Sequence, residues 1–439
     1  MNFIYLKKKL HKSFFSISLF FLGKALRFNN HTLCAFILRM NITHFNKIKL
    51  INKKQKIKKI LVFPKSGGCE DLVESFRNDS KNNIIFFLLP RIFLKKIFHF
   101  HFKNTNKSKY HSDYYTKPQN GIEMIKKKKN VEFLTKTFFI LTKFFKLDGL
   151  ISFNLFYYNE KYLEEVCQNL NIKYIVLHKE SVFSPYEEKH MTKIYQNNND
   201  KSLAYKISVY SNNQKKIMIQ SKIATKEQLT VNGCPRSDYA FRLRKIKPKG
   251  KTIVFYLIEY ERGNNKRLNI QISYKELFDK TLSYIKEFAI NHPNIEIILK
   301  GKTGVHLKKN YSDQYYPKNC IFIAGGAGEK LLKNASVVLA FNSTIVFEAI
   351  ASNRNLIIPN FHNEYKHKKN FLHNVFTSKY FANSKNEFNK KLIFYLNSEY
   401  KNKKITNTEK KVLRHYLGNI DGKSGIRMRK FLKNILRKN

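Results

Sequence analysis

The chain has 439 residues, enough for two or three domains, and its 43% hydrophobic content argues against global disorder. The formal net charge of +52 indicates an anionic partner, although the abundance of Lys, Asn, Ile, Phe and Tyr also indicates AT-rich codons. The five cysteines are scattered, without a Cys-x-x-Cys pair or zinc spacing, which argues against a disulfide framework or structural metal and favours a reducing cytoplasm.

Residues 1–57 form a basic segment with one apolar stretch at 14–22. Lysines precede this stretch, as they do in a secretory signal peptide, and a signal peptide is the alternative interpretation of this segment. However, Lys24 lies where cleavage would occur, and the stretch is too short to span a bilayer. We therefore expect residues 1–57 to be a basic N-terminal extension that lies on a membrane surface.

A first series of alternating strands and helices is predicted at 58–244. Apolar runs typical of buried parallel strands lie at 60–63, 84–89, 149–153, 174–177 and 229–231, with further strand predicted at 203–210 and 216–220. Helical patterns lie at 70–77, 131–146 and 160–170. Between them, residues 103–129 are polar and lysine-rich, and we expect a long surface loop. The turn Lys65-Ser-Gly-Gly68 is a weak sign of phosphate binding.

A basic linker is predicted at 245–251, where Pro248 and Gly250 favour irregular structure. A second series follows at 252–405, with strands at 252–257, 295–299, 320–323, 337–341 and 356–359 and a long helix at 274–290. Residues 406–439 are predicted as a C-terminal helical segment. Two β/α series predict an α/β protein with two Rossmann-type domains facing across a cleft, where small-molecule sites tend to lie.

The strand at 337–341 is followed by the main candidate binding site. Asn342, Ser343 and Thr344 are good helix-capping residue types, and a helical pattern begins after them. The free N–H groups and the positive end of the dipole at a helix start suit a phosphate. Glu348 lies too far along for a capping box and is spaced to reach a ligand at the helix start. An ordinary cap with a solvated acid is the alternative.

Charged residues at other strand ends extend this set. Lys300 and Lys302 leave the end of the strand at 295–299, where lysine can neutralise phosphate as a point charge. Arg236 lies in a turn near the junction of the two halves, and arginine can bind two phosphate oxygens at once. Since Lys and Arg make up 83 of 439 residues, ordinary surface lysines are the alternative.

The strand at 174–177 ends at the ionisable residues His178, Lys179 and Glu180. In open α/β sheets the carboxyl ends of strands face the ligand crevice, so these side chains are candidates for catalysis. A Lys179–Glu180 ion pair beside a structural histidine is the alternative. Glu259 and Glu261 follow another strand and form a second candidate carboxylate pair.

Four runs resemble those of bacterial surface carbohydrate (capsule and lipopolysaccharide) biosynthesis proteins. They are Tyr174-Ile-Val-Leu-His-Lys-Glu180, Val231-Asn-Gly-Cys-Pro-Arg-Ser-Asp238, Ile298-Leu-Lys-Gly-Lys-Thr-Gly304 and Phe341-Asn-Ser-Thr-Ile-Val-Phe-Glu348. Asp421-Gly-Lys-Ser424 and Arg427 look like the C-terminal signature of the group. The group is similar to the GT-B glycosyltransferases and, more distantly, to nucleotide-sugar 2-epimerases and teichoic-acid transferases.

The resemblance implies a metal-independent glycosyltransferase of GT-B type, with the acceptor in the first domain and a nucleotide-sugar donor in the second. It implies ribose binding by Glu348 and catalysis by His178 or Glu180, one of which would take a proton from the acceptor hydroxyl. The residues implied for the donor diphosphate are Arg236, Lys300, Lys302, Asn342, Ser343 and Thr344.

The expected partners are the nucleotide-sugar donor, a glycan or lipid-linked acceptor and the anionic inner face of the plasma membrane, with the protein in the cytoplasm or peripheral to that membrane. No bound cofactor and no nucleic acid are expected. Four alternatives stay open: a 2-epimerase-like isomerase, a glycerophosphotransferase-like enzyme, a non-catalytic carbohydrate-binding member and, from charge alone, a nucleic-acid-binding protein. Asn353-Arg-Asn355 departs from the glycine-containing turn of related proteins, which we interpret as drift.

Overall fold

The computed structural model describes residues 3–52, 55–103, 115–180, 182–257, 275–301, 315–326, 328–341, 343–361 and 378–437. The chain divides into two compact units. Unit 1 comprises Met1–Ser181, Tyr195–Gly233 and Gly425–Asn439, and unit 2 comprises Val182–Ile194 and Cys234–Ser424.

Unit 1 is built on a seven-stranded sheet. Its strands are β1 (Thr43–His44), β2 (Lys58–Val62), β3 (Ile84–Leu88), β4 (Gly149–Ser152), β5 (Lys173–Leu177), β6 (Lys206–Val209) and β7 (Leu229–Val231). They lie in the order β1-β3-β2-β4-β5-β6-β7, and every pair is parallel except β1 with β3. All four residues of β4 are buried, which explains why the parallel strands appear in the sequence as continuous apolar runs.

The described helices of the first half of the chain lie before and between these strands. They are α1 (Phe3–Arg27), α2 (His31–Met40), α3 (Gly68–Phe76), α4 (Arg91–His101), α5 (Gly121–Phe144), α6 (Tyr158–Lys161), α7 (Leu163–Asn169), α8 (Pro185–Asn198) and α9 (Asn212–Gln220). Most of α8 belongs to unit 2.

Unit 2 is built on a six-stranded parallel sheet. Its strands are β8 (Thr252–Tyr256), β9 (Glu296–Gly301), β10 (Cys320–Ala324), β11 (Ala335–Leu339), β12 (Asn355–Pro359) and β13 (Phe381–Ala382), in the order β10-β9-β8-β11-β12-β13. Its α-helices are α10 (Ser237–Leu243), α11 (Lys275–Asn291), α12 (Ile345–Ala351), α13 (Lys385–Asn397) and α14 (Asn407–Leu417), with short 3-10 helices at Gly328–Lys333 and Ser378–Tyr380. Two parallel-sheet units confirm the predicted α/β class.

The last helix, α15 (Ser424–Arg437), returns to unit 1 after its first residue. Its apolar side chains join the core formed by β2, β3, β4, β5 and α3; they are Met428, Phe431, Leu432, Ile435 and Leu436. This packing explains why the predicted basic C-terminal helix is strongly amphipathic. It approaches α3 so closely that a Cβ on Gly425 would lie 3.1 Å from the Glu74 carbonyl oxygen.

The predicted N-terminal extension and domain boundaries can be compared with these units. The described part of residues 1–57 includes α1, α2 and β1, and Leu22, Ala25 and Leu38 are among its buried side chains in unit 1. The division between units falls at 233–234 rather than at 244, so that α10 belongs to unit 2. The boundaries of independently folding domains stay predictions.

Two predicted elements are wrong. Residues 216–220 are not strand but belong to helix α9. Ser211 caps this helix by accepting a hydrogen bond from the Gln214 N–H, and the apolar side chains that the helix buries are Ile217 and Met218. The predicted loop is helical from Gly121 onward, because Asn120 caps α5 and lysine is a good helix former. Residues 104–114 of that loop lie outside the described residues.

Candidate functional site

One edge of the unit 2 sheet gathers several of the predicted binding residues. Because β8, β9, β10 and β11 are parallel, their carboxyl ends meet at the same edge. Lys300 on β9 lies beside Tyr256, the last residue of β8, in the strand register. Ser343 and Thr344 follow β11 at the same edge. The sequence pattern and parallel topology together therefore produce a polar cluster here.

Lys300 is a buried cation, with 6% of its surface exposed. Its Nζ donates a hydrogen bond to the carbonyl oxygen of Gly301 at 2.7 Å. Burial lowers the pKa of Lys300, and the negative charge of Glu329 opposes that shift. A lysine removed from water in this way is suited to a negatively charged ligand, which would replace the lost hydration.

Tyr256 and Glu329 are members of this cluster that the motifs do not reveal. The Tyr256 hydroxyl donates to the Gly328 carbonyl at 2.8 Å. Burial raises the pKa of Tyr256, and the carboxylates of Glu348 and Glu329 add to the shift. The sequence signal is modest: Glu329 follows the glycine-rich turn after β10, in which Gly325 and Gly326 adopt positive φ angles of 67° and 70°.

Glu348 is buried on α12 and paired with an arginine. Every residue of this helix is buried, and Glu348 is 5% exposed. Its Oε1 lies 3.8 Å from Nε of Arg236, which precedes α10. The alternative of a solvated acid is therefore wrong. The structure also brings together Arg236 and Glu348, which are far apart in the sequence.

The start of α12 differs from an ordinary capped helix. Thr344 occupies the N-cap position with a helical φ of −61°, and its hydroxyl does not cap the helix. Ser343 instead contributes its carbonyl oxygen, which accepts a hydrogen bond from the Val346 N–H at 3.2 Å. Both residues are half-buried. The other predicted residues of this region, Asn342, Lys302, Glu259 and Glu261, lie outside the described residues.

In unit 1, His178 directly follows β5 and is completely buried. The Leu155 N–H donates to its Nδ1 at 3.2 Å, so Nε2 carries the proton and donates to the Glu180 carbonyl at 3.0 Å. Burial lowers the pKa of His178 to about 4. Because both ring nitrogens are engaged with the backbone, the predicted role of His178 as the base does not fit this geometry. The imidazole instead joins the segments that follow β4 and β5.

Glu180 keeps an accessible carboxylate. About a third of its side chain is exposed (36%), and its Oε1 accepts a hydrogen bond from the Tyr157 hydroxyl at 3.3 Å. The same oxygen pairs with Nζ of Lys179, as the alternative interpretation predicts. Glu180 is thus the one of the two predicted catalytic residues whose functional group reaches solvent.

The burial of His178 predicts a pH-dependent stability. Since the unfolded imidazole takes up a proton below its ordinary pKa of 6.5 and the folded one does not until about 4, stability should fall as the pH falls through this window. Between pH 6.5 and 5 the free energy of unfolding should decrease by about 2 kcal/mol from this residue. Urea unfolding of the wild type and His178→Gln across this range measures the effect.

His101 provides the comparison for that experiment, because burial also lowers its pKa to about 4. His178→Gln and His101→Gln should each remove part of the slope of unfolding free energy against pH, and the double variant should remove both parts. A His178→Gln variant with the full wild-type slope would show that His178 titrates in the folded protein as it does in the unfolded chain.

A second carboxylate at the same edge of unit 1 is missed by the sequence motifs. Glu160 on α6 is 1% exposed, pairs with Nε of Arg91 and accepts a hydrogen bond from the Ser152 hydroxyl. The Arg91 guanidinium also lies 3.9 Å from the centre of the Tyr157 ring. Burial raises the pKa of Glu160 against the opposing charge of Arg91. Glu160 lies in a short helix without a recognisable motif, so the sequence gives no signal for this buried ion pair.

The C-terminal signature has a structural explanation. In unit 2, the Ser424 N–H donates to Oδ1 of the buried Asp238 at 3.1 Å. In unit 1, Nε of Arg427 donates to the Asn232 carbonyl at 3.0 Å. Two runs that are far apart in the sequence are therefore joined by hydrogen bonds.

Over the described residues, no group of three or more His, Cys, Asp or Glu side chains is arranged to hold a metal ion. The expected independence from a metal stays a prediction.

Comparison with known proteins gives likenesses only at low identity. No protein-family model matches the chain, and no curated protein matches it. Among solved structures, the UDP complex of MnaA from S. aureus is 10% identical over 87% of this chain and 97% of its own, with a TM-score of 0.44. UDP-N-acetylglucosamine 2-epimerase from Rickettsia bellii is 14% identical over 87% and 97%, with a TM-score of 0.46.

A variant of the wall teichoic acid polymerase TagF is 10% identical over 100% of this chain and 99% of its own, with a TM-score of 0.47. At these identities and TM-scores the likenesses carry no argument about activity, substrate or site residues. The α/β class rests on the two parallel sheets themselves.

Proposed function

We propose that this protein is a glycosyltransferase of GT-B type that binds a nucleotide-activated sugar in unit 2 and builds cell-surface polysaccharide. The observation that supports the proposal most is the composition of one sheet edge: the buried Lys300, the ion pair of the half-buried Arg236 with the buried Glu348, and the hydroxyls of Ser343 and Thr344. Cations and hydroxyls suit a diphosphate, and a carboxylate suits the vicinal hydroxyls of a ribose.

In this proposal Lys300 and Arg236 neutralise the diphosphate as it becomes the leaving group. Ser343 and Thr344 donate hydroxyl hydrogen bonds to its oxygens. Glu348 accepts hydrogen bonds from the ribose hydroxyls, and its Oε1 lies 3.8 Å from Nε of Arg236, which is longer than a hydrogen bond. Electrostatic stabilisation of the charge that develops in the transition state is commonly the largest single contribution to the rate enhancement of an enzyme.

For the acceptor side we propose Glu180 of unit 1 as the base. In the transfer step the acceptor oxygen bonds to the anomeric carbon, the bond from that carbon to the diphosphate breaks, and the Glu180 carboxylate takes the hydroxyl proton. The nucleoside diphosphate leaves with the electron pair. His178 has no part in this step, since its ring nitrogens are engaged with backbone groups.

Titration calorimetry with UDP-, CDP- and GDP-linked sugars tests the binding proposal. At least one nucleotide class should bind, and Ser343→Ala should weaken that binding about tenfold because a hydrogen bond to a charged oxygen is lost. Glu348→Gln should also remove the preference for the ribonucleotide over its 2′-deoxy analogue. Uniformly poor binding of all three classes, unaffected by either substitution, would contradict the proposal.

The opposite edge of the same sheet supplies matched controls. Ser336, near the start of β11, donates to the Gly250 carbonyl, and Glu296, at the start of β9, accepts from the Thr252 hydroxyl. Ser336→Ala and Glu296→Gln should bind the nucleotide like the wild type. Release of nucleoside diphosphate only in the presence of an acceptor distinguishes a transferase from an epimerase, which changes the sugar without an acceptor.

A further inference from the structure

Helix α1 carries apolar side chains on two faces, of which one remains exposed. The inner face is buried within unit 1 through Leu22, Ala25 and Leu26. On the outer face Ile17 is 53% exposed and Phe20 is 60% exposed, and Phe14 and Phe21 lie near them. A helix of a soluble domain ordinarily places polar residues on its outer face. The exposed apolar face of α1 therefore indicates a partner.

A groove of about 610 Å³ lies between α1 and α4 and continues this apolar surface. Leu19, Phe20 and Leu26 line one side of it, and Ile92 and Phe100 line the other. Nζ of Lys96 donates to the Leu19 carbonyl at 2.5 Å, which joins the two helices at the groove. The α1–α4 surface, meaning this groove together with the exposed face of α1, is defined by residues 14–28 and 92–103.

The charge of the α1–α4 surface has one sign. Among the described residues, five cations line the groove, namely Lys24, Arg27, Lys95, Lys96 and Lys103, and no acidic side chain does. Glu70 is the first acidic residue of the chain, and α4 contains none. Codon bias raises the numbers of Lys, Ile and Phe over the whole chain, but it does not by itself place them together on one surface whose described lining contains no acid.

We propose that the α1–α4 surface docks on an anionic lipid bilayer. Phenylalanine side chains enter the boundary between headgroups and acyl chains, and the lysines bind the anionic headgroups, as in amphipathic helices that lie in a membrane interface. No helix among the described residues is long and apolar enough to cross a membrane. The occupant is the bilayer surface, and the proposal does not depend on nucleotide binding in unit 2.

The absence of tryptophan from the chain allows a direct test. A Phe20→Trp variant of the full chain carries a single tryptophan, whose fluorescence should shift to the blue on addition of vesicles of equal parts phosphatidylcholine and phosphatidylglycerol. Brominated acyl chains should quench it. Phe394→Trp, at an exposed phenylalanine of unit 2, is the matched control and should show neither effect.

Sedimentation with the same vesicles tests the charge contribution. Lys24→Gln with Lys103→Gln should weaken binding roughly 25-fold, about fivefold for each lysine near the surface, and added salt should weaken wild-type binding. Lys401→Gln with Lys404→Gln, two exposed lysines of unit 2, should bind like the wild type.

Failure of the wild type to bind these vesicles, or equal binding by both double variants, would overturn the proposal. So would a dimer in ultracentrifugation that Phe20→Ser dissociates while vesicle binding is absent, since a second copy would then occupy this surface. Because the vesicles contain no nucleotide, any of these results leaves the proposed function of unit 2 unaffected.

Discussion

Lys300→Met should weaken the binding of a nucleoside diphosphate about 100-fold, which corresponds to ~2.7 kcal/mol, while leaving the free energy of unfolding unchanged or slightly higher. The two effects separate because Lys300 is a buried cation whose Nζ donates a hydrogen bond to the Gly301 carbonyl. Replacing a buried charge by an apolar side chain of similar volume is often neutral or stabilising. If Lys300 had only a structural role, Lys300→Met would leave the affinity for the nucleoside diphosphate unchanged.

Titration calorimetry and urea unfolding on the same preparations measure both quantities. Lys251→Met is the matched control, since Lys251 precedes β8 at the opposite edge of the sheet and its Nζ contacts the Asn397 side chain. Lys251→Met should change neither the affinity for the nucleoside diphosphate nor the free energy of unfolding by much. If Lys300→Met binds the diphosphate as tightly as the wild type, Lys300 does not contact phosphate, and the binding edge must be sought elsewhere in unit 2.

The parallel strands could be predicted from the sequence because their apolar runs depend on local composition alone. The predicted strands at 252–257 and 229–231 correspond closely to β8 and β7. Every residue of β8 is buried, and β7 is followed by a turn that contains Gly233 and Pro235. The elements that were predicted wrongly, α9 and the start of α5, consist largely of polar residues, so their helical character depends on caps and on a few buried contacts.

The candidate site was predictable in position but not in its internal pairing. The positions of Lys300 and Ser343 at strand ends predicted that both lie at one edge of the sheet, because the ends of parallel strands meet there, and their role in binding stays a prediction. The Arg236–Glu348 pair and the burial of His178 depend on packing between segments distant in the sequence, which no spacing rule contains. Side-chain pairing therefore requires the fold, whereas the meeting of the strand ends at one edge does not.

Asn353 adopts a backbone conformation that glycine commonly provides at the end of a helix. Its φ is 59°, in the left-handed region, immediately after α12. Asparagine tolerates this conformation better than most residues. Asparagine therefore meets the conformational requirement of this turn, and the interpretation of the departure as drift stays a prediction.

Gly68→Val should destabilise the protein by about 4 kcal/mol, and Gly68→Ala by about 3 kcal/mol, because neither side chain fits at the start of α3. A Cβ built on Gly68 would lie 2.7 Å from Cδ2 of the Phe153 ring and closer still to its Cγ and Cδ1. Phe153 is fully buried in the core of unit 1, so the ring has little room to move. The glycine is required for close packing of the helix on the sheet.

Urea unfolding monitored by circular dichroism measures this effect. Gly121→Ala is the matched control, because Gly121 is also the first residue of a helix and a Cβ there meets nothing within 4 Å. It should be neutral or slightly stabilising, as alanine is a better helix former than glycine. If Gly68→Ala is as stable as the wild type, the packing explanation fails, and a ligand at the Lys65-Ser-Gly-Gly68 turn becomes the better reason for this glycine.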